Sequence, residues 1–249
     1  PMALSDIDGD GDLDLFVGGR VVPGRYPEPA TSKLFRNSGG SFQPDEANNP
    51  LFEKVGLVSG AVFSDLDGDG DGDLVLACEW GPVRVVRNDA GRLREATAEL
   101  NLAQYTGWWN GVATGDFDGD GRLDIIASNW GRNTKDQRYL PKPLRAYFGD
   151  FDGNGTEDFV EAFFDDDLDK WVPERDYDTM SKAIPFVRER FSSFRAYGNA
   201  GVDDLLGDQL SQAKILQAAT LDSMVFLNRG GRFEAQPLPV EAQFAPAFG

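Results

Sequence analysis

The residues with the clearest chemistry are aspartates at alternate positions in four nine-residue segments. They are Asp6-Ile-Asp8-Gly-Asp10-Gly-Asp12-Leu-Asp14, Asp65-Leu-Asp67-Gly-Asp69-Gly-Asp71-Gly-Asp73, Asp116-Phe-Asp118-Gly-Asp120-Gly-Arg122-Leu-Asp124 and Asp150-Phe-Asp152-Gly-Asn154-Gly-Thr156-Glu-Asp158. An acidic β-turn needs one Asp-Gly pair. Further carboxylates only add repulsion, about 4 kcal/mol per pair at ~4 Å and an effective dielectric of ~20, unless a cation offsets it. Hard carboxylate and carbonyl oxygens at this density suit Ca²⁺, which takes 6–8 of them. The pattern assigns side-chain oxygens to positions 1, 3, 5 and 9 and a backbone carbonyl to position 7 (Asp12, Asp71, Arg122 and Thr156). Glycines at positions 4 and 6 let the chain wrap the ion. About four Ca²⁺ ions are expected, and Asn154 lowers the charge of the fourth site.

An EF-hand opens with the same ligands but needs a bidentate Glu at position 12 and flanking helices. Position 12 is Val17, Leu76, Ala127 and Glu161, so three of the four segments reject it. Other chemistry is restricted by composition. Histidine is absent, which removes His-ligated zinc and His-based nucleophile triads. The single Cys78 cannot form an internal disulfide. A net charge of −18 opposes nucleic-acid binding, and no apolar run reaches the ~20 residues of a membrane-spanning helix. No leader is visible, so the sequence is read as a mature protein or a part of one.

The elements that must position these loops read as strands. Short apolar runs precede the loops (Ala61-Val62-Phe63, Ala146-Tyr147-Phe148) and others follow (Leu13 to Val17, Leu74 to Ala77, Ile125 to Ala127, Phe159 to Phe164). Three further segments carry a strand ending in Asn, a turn and a resumed strand: Leu34 to Phe42, Val85 to Leu93 and Val225 to Phe233. Repeats of roughly 50–60 residues with about four strands match a propeller blade in scale. The fold class expected is all-β, a β-propeller of about four to five blades or that portion of a larger one. Residues 1–249 are read as a single domain or a portion of one. Met180 to Arg190 and Val202 to Leu216 read as helical, so a helical insertion over 175–217 is expected within the fourth blade. Asp165-Asp166-Asp167 reads as a solvated acidic turn, with a further cation contact as the alternative.

The loops with their flanking strands resemble the FG-GAP/VCBS repeat family of integrin α-like β-propellers, most plainly at Thr114 to Ala127. Ala183-Ile-Pro-Phe-Val-Arg-Glu-Arg-Phe191, with Leu227-Asn228 and Ala245-Pro-Ala-Phe-Gly249, resembles bacterial secreted VCBS-repeat proteins of the kind often joined to an ASPIC/UnbV domain. The resemblance implies calcium-binding propeller blades, with Asp6, Asp8, Asp10, Asp14 and their equivalents as ligands. Such propellers usually have more blades than this chain supplies. The sequence is therefore read as a portion of a larger propeller, a small closed ring, or blades completed by a neighbouring chain.

Extracellular calcium modules bind at ~10⁻⁴–10⁻³ M, and such sites would be largely empty in cytosol. A secreted or cell-surface location is expected. The expected role is a non-catalytic binding or adhesion module with a carbohydrate or surface-protein partner, or a surface-assembly unit that self-associates through incomplete blades. Trp80, Trp108, Trp109, Trp130 and Trp171 are the aromatic candidates. Trp80 and Trp130 are expected to pack between blades, and alternation points one ring of Trp108-Trp109 inward and one outward. A calcium-dependent polysaccharide lyase is the rival reading, with its base sought among Lys135, Tyr139, Lys142 and Arg145.

Overall fold

The computed structural model describes residues 1–244. Ala245 to Gly249, read above as the approach to a further loop, lie outside the described residues. The chain is mostly β, 39% strand against 17% helix, and it divides into two compact units, residues 22–27 with 135–219 and the remainder.

The larger unit holds three antiparallel sheets. The first runs β1 (Met2–Ser5), β2 (Asp14–Val17), β3 (Lys33–Ser38), β4 (Ser41–Pro44). The second runs β5 (Leu57–Ser64), β6 (Asp73–Pro82), β7 (Arg84–Asp89), β8 (Arg92–Glu95), with β9 (Thr106–Trp108) pairing the far end of β6. The third starts with β10 (Gly111–Gly115) and β11 (Asp124–Ser128) and is completed by β16 (Met224–Asn228) and β17 (Phe233–Pro237). Between β11 and β16 the chain leaves this unit for residues 135–219. The Val225–Phe233 turn therefore belongs with the third Asp loop and not with the fourth, although it follows the fourth in sequence.

The middle sheet explains the unbroken apolar run of β6. Leu74, Leu76 and Cys78 enter one core with Ile7, Phe16, Leu34 and Phe52. Val75 and Ala77 enter the other with Trp109, Ile125 and Phe226. A strand buried on both faces shows no polar alternation. Close approach of β5 and β10 depends on Gly60, where a Cβ would lie 2.9 Å from the Gly111 Cα.

The smaller unit carries a fourth antiparallel sheet, ordered β14 (Lys170–Pro173), β13 (Asp158–Asp165), β12 (Leu144–Gly149), β15 (Lys214–Ala218). Short helices α1 (Tyr177–Ala183), α2 (Phe186–Arg190), α3 (Phe194–Gly198) and α4 (Val202–Leu206) lie between β14 and β15. They bury Met180, Ile184, Val187, Leu205 and Leu206 against Tyr147, Phe151 and Val160. The helices lie within residues 177–206, and their bounds differ from those read in the sequence. The Met180–Arg190 helix breaks at Ile184, before Pro185, because the residue preceding a proline is pushed to extended backbone. The Val202–Leu216 helix ends at Leu206; after a 3-10 segment at Gly207–Gln212, Lys214 already lies in β15. β12 offers an open edge, and pairing from Phe148↔Lys214 to Leu144↔Ala218 overrides the helical propensity of that stretch. Asp165 ends β13, and its Oδ1 accepts from the amides of Asp167 and Leu168 in the turn that follows, an arrangement that fits the acidic-turn reading.

Candidate metal sites in four hairpin loops

All four Asp segments are hairpin loops in the same register. Ser5 pairs with Asp14, Ser64 with Asp73, Gly115 with Asp124 and Gly149 with Asp158. Position 9 is therefore the first residue of the second strand in every sheet. The glycines at positions 4 and 6 have positive φ throughout, from +75° at Gly153 to +98° at Gly70, a region costly for residues bearing a Cβ.

The loops are organised around position 1. Asp6 accepts from the amides of Gly9, Asp10 and Gly11 at 2.8, 3.1 and 2.9 Å. Asp65 does the same with Gly68, Asp69 and Gly70 at 2.8, 3.1 and 3.1 Å, and Asp116 with Gly119, Asp120 and Gly121 at 2.8, 3.1 and 3.0 Å. Asp150 takes the amides of Asn154 and Gly155, both at 2.9 Å. Position 5 accepts from the position 7 amide: Asp10 from Asp12, Asp69 from Asp71, Asp120 from Arg122 and Asn154 from Thr156. Side chains at position 7 turn elsewhere. Asp12 accepts from Gly39 N and Asp71 from Ala90 N, both at 2.7 Å, while Arg122 pairs with Asp120 and Thr156 donates to Asn154.

Position 9 ties loop to sheet. Asp14, Asp73, Asp124 and Asp158 are buried and accept from the position 2 amides of Ile7, Leu66, Phe117 and Phe151 at 3.1, 3.1, 2.9 and 2.9 Å. In the larger unit each also accepts an Asn amide from the third strand: Asn37 at 2.8 Å, Asn88 at 2.9 Å and Asn228 at 2.7 Å. These asparagines do more. Asn88 Nδ2 donates to Ile7 O at 2.9 Å and Asn228 Nδ2 to Leu66 O at 2.7 Å. Each thus holds position 2 of the preceding sheet's loop, so successive loops are latched together.

In every loop three carboxylates offer oxygens within 4.8 Å of one another: Asp6, Asp8 and Asp10; Asp65, Asp67 and Asp69; Asp116, Asp118 and Asp124; Asp150, Asp152 and Asp158. Burial raises the pKa of Asp67, Asp73 and Asp158, because desolvation disfavours the carboxylate. A divalent cation would relieve that penalty. A hydrogen bond from Arg229 lowers the pKa of Asp118. The donor set is all oxygen, with no histidine in the chain and Cys78 inside the core between the first two sheets. This fits Ca²⁺ and not a soft metal.

Three arginines escaped sequence reasoning. Arg36 and Arg87 immediately precede the turn Asn in the first and second repeats, and Arg229 immediately follows it in the third. Arg36 Nη1 lies 3.3 Å from Asp8 and 3.1 Å from Asp14. Arg87 Nη1 lies 2.9 Å from Asp67 and 2.6 Å from Asp73, and Arg229 Nη1 lies 2.5 Å from Asp118. The repeat-equivalent placement of Arg36 and Arg87 was the available signal; Arg229 carried none. A cleft of about 720 Å³ opens between the second and third loops, lined by Asp65, Asp67, Arg87, Arg94, Arg122 and Asn228 among others.

Of the aromatic candidates, one of the Trp108-Trp109 pair takes the expected place and the other does not. Trp109 is fully buried, as the inward ring. Trp108 does not stand clear as the outward ring: it is half-buried, edge-to-face with Trp80 at 4.9 Å and Trp130 at 5.2 Å. Trp171 lies under the Arg145 guanidinium at 3.9 Å. Lys142 sits over Phe164 and Tyr139 stacks on Phe163. Lys135 is ion-paired with Glu174, whose hydrogen bond raises the lysine pKa, opposite to the lowering a catalytic base needs at neutral pH.

Repeating antiparallel sheets with an Asp-rich hairpin at the same strand junction define a class of Asp-loop β repeat whose loops could hold metal ions. The sequence model of the FG-GAP-like repeat family matches residues 6–76 and again 65–127. Residues 6–127 are therefore FG-GAP-like repeats, each match starting at position 1 of an Asp loop. A search of curated proteins found no match. No helix among the described residues is long and apolar enough to cross a membrane.

Proposed function

We propose that this chain is a calcium-stabilised, β-propeller-like binding module that works outside the cell without catalysing a reaction. The observation that carries this reading is the gathering of three carboxylates within 4.8 Å in each of four loops, on a backbone pre-folded around position 1. Asp6, Asp8 and Asp10 would hold the first ion, Asp65, Asp67 and Asp69 the second, Asp116, Asp118 and Asp124 the third, and Asp150, Asp152 and Asp158 the fourth. Bound calcium supplies charge neutralisation and fixes the loops. The loop surfaces and the cleft beside them then face a carbohydrate or surface-protein partner. The VCBS-type resemblance, with the ~10⁻⁴–10⁻³ M affinity expected of extracellular calcium modules, favours a secreted bacterial setting.

Cys78 provides the test. Its side chain is buried in the core that includes Ile7 of the first loop, and burial pushes its thiol up to about 11, so a thiol reagent reaches it only through opening of that core. If the first two loops bind at ~10⁻⁴–10⁻³ M, 1 mM Ca²⁺ is expected to slow labelling roughly fourfold to a hundredfold relative to EDTA. Magnesium at the same concentration should leave the rate close to that in EDTA. Equal rates in calcium and EDTA would remove the structural role assigned to the ion.

A further inference from the structure

The three carboxylates that meet are not the same three in every loop. In the first and second loops they come from positions 1, 3 and 5; in the third and fourth they come from positions 1, 3 and 9. The difference follows the arginines. Where Arg36 and Arg87 stand before the turn Asn, the guanidinium binds the position 9 carboxylate, Asp14 at 3.1 Å and Asp73 at 2.6 Å. The same Nη1 also reaches position 3. The position 9 carboxylate, already accepting two backbone amides, is thereby drawn out of the cluster.

The third repeat has Leu227 at that place. Asp124 has no arginine partner among the described residues and joins the cluster. There the arginines engage positions 3 and 5 and leave position 9 alone: Arg229 Nη1 lies 2.5 Å from Asp118, and Arg122 pairs with Asp120 and is fixed by its Nε bond to Asn228 O at 2.9 Å. The fourth loop has Asn154 at position 5 and no arginine on Asp150, Asp152 or Asp158 among the described residues; it too uses position 9.

We infer that the residue before the turn Asn selects which carboxylates of its loop face the cation, dividing the four sites into a pair whose position 9 carboxylate is held by arginine and a pair whose position 9 carboxylate is not. This rests on the calcium reading above. Arg36 and Arg87 act as positioning residues and resident counter-charges. Their loops hold together with less help from calcium and bind it more weakly than the same loops would without the guanidinium.

The test is calcium titration calorimetry of the whole chain, with Arg87→Leu (the residue the third repeat carries) and Arg36→Leu as independent variants. Each is expected to tighten one site about tenfold, since a positive charge against the position 3 ligand is lost and a carboxylate is released. Each should also widen the gap between melting temperatures in EDTA and in calcium, whereas a merely structural arginine would lower both equally. Arg87→Lys, which keeps the charge, should stay near wild-type affinity. Unchanged calcium affinities in both leucine variants would overturn this inference alone. Absence of calcium binding by the wild-type chain would overturn the calcium reading, and this inference with it.

Discussion

Asp73→Ala is expected to cost about 3–5 kcal/mol of stability in EDTA, as expected when one partner of a buried ion pair is deleted. Asp73 is fully buried and accepts from Leu66 N at 3.1 Å, Asn88 N at 2.9 Å and Arg87 Nη1 at 2.6 Å. Alanine leaves two interior amides without an acceptor and a nearly buried guanidinium with Asp67 as its remaining carboxylate. Calcium should not restore the loss, because the damage lies in the join between loop and sheet. Asp69→Asn is the informative contrast. Its carboxylate is exposed, so the EDTA stability should move by no more than about 0.5 kcal/mol, while the response to calcium falls. Urea unfolding of both variants, with and without calcium, makes the comparison. A loss below about 1 kcal/mol for Asp73→Ala would show that position 9 is not a structural anchor.

Trp109→Ala is expected to destabilise the larger unit by about 3–5 kcal/mol, the usual cost of emptying a large aromatic site in a core. The ring is fully buried between the second and third sheets, edge-on to Phe226 at 5.7 Å, and its Nε1 donates to Tyr105 O at 3.0 Å. Phe226 lies in β16, on the far side of the long excursion from β11. The substitution therefore also probes whether the returning strand belongs to the third sheet. Chemical unfolding followed by fluorescence of the remaining tryptophans gives the value. Near-wild-type stability would mean that β16 does not pack as described.

Much of this was legible before any coordinates because aspartate and glycine carry positional meaning. Positive φ at positions 4 and 6 is what that spacing requires, and short apolar runs bounded by Gly and Asp marked β2, β6, β11 and β13 directly; that position 9 is a buried anchor of loop to sheet was not visible. Connectivity was less accessible. Nothing between Ser128 and Met224 marks that β16 completes the third sheet, since strand partners are chosen by long-range packing that local patterns do not encode. Gln212-Ala-Lys-Ile-Leu-Gln217 consists largely of helix formers and became a strand because β12 had an unfilled edge. The outward Trp108 ring was inferred from alternation alone, which cannot foresee Trp80 and Trp130 closing on it. Arg36 and Arg87 were visible at equivalent repeat positions, but their reach to positions 3 and 9 depends on strand register.

The central claim, that the four Asp loops are calcium sites, is tested most directly by equilibrium dialysis of the metal-stripped chain against calcium, with bound metal counted per chain. About four ions at a few millimolar free Ca²⁺, falling close to none at micromolar, is the predicted result for sites with dissociation constants of ~10⁻⁴–10⁻³ M. Fewer than one ion per chain at millimolar calcium, or equal uptake of magnesium, would contradict it.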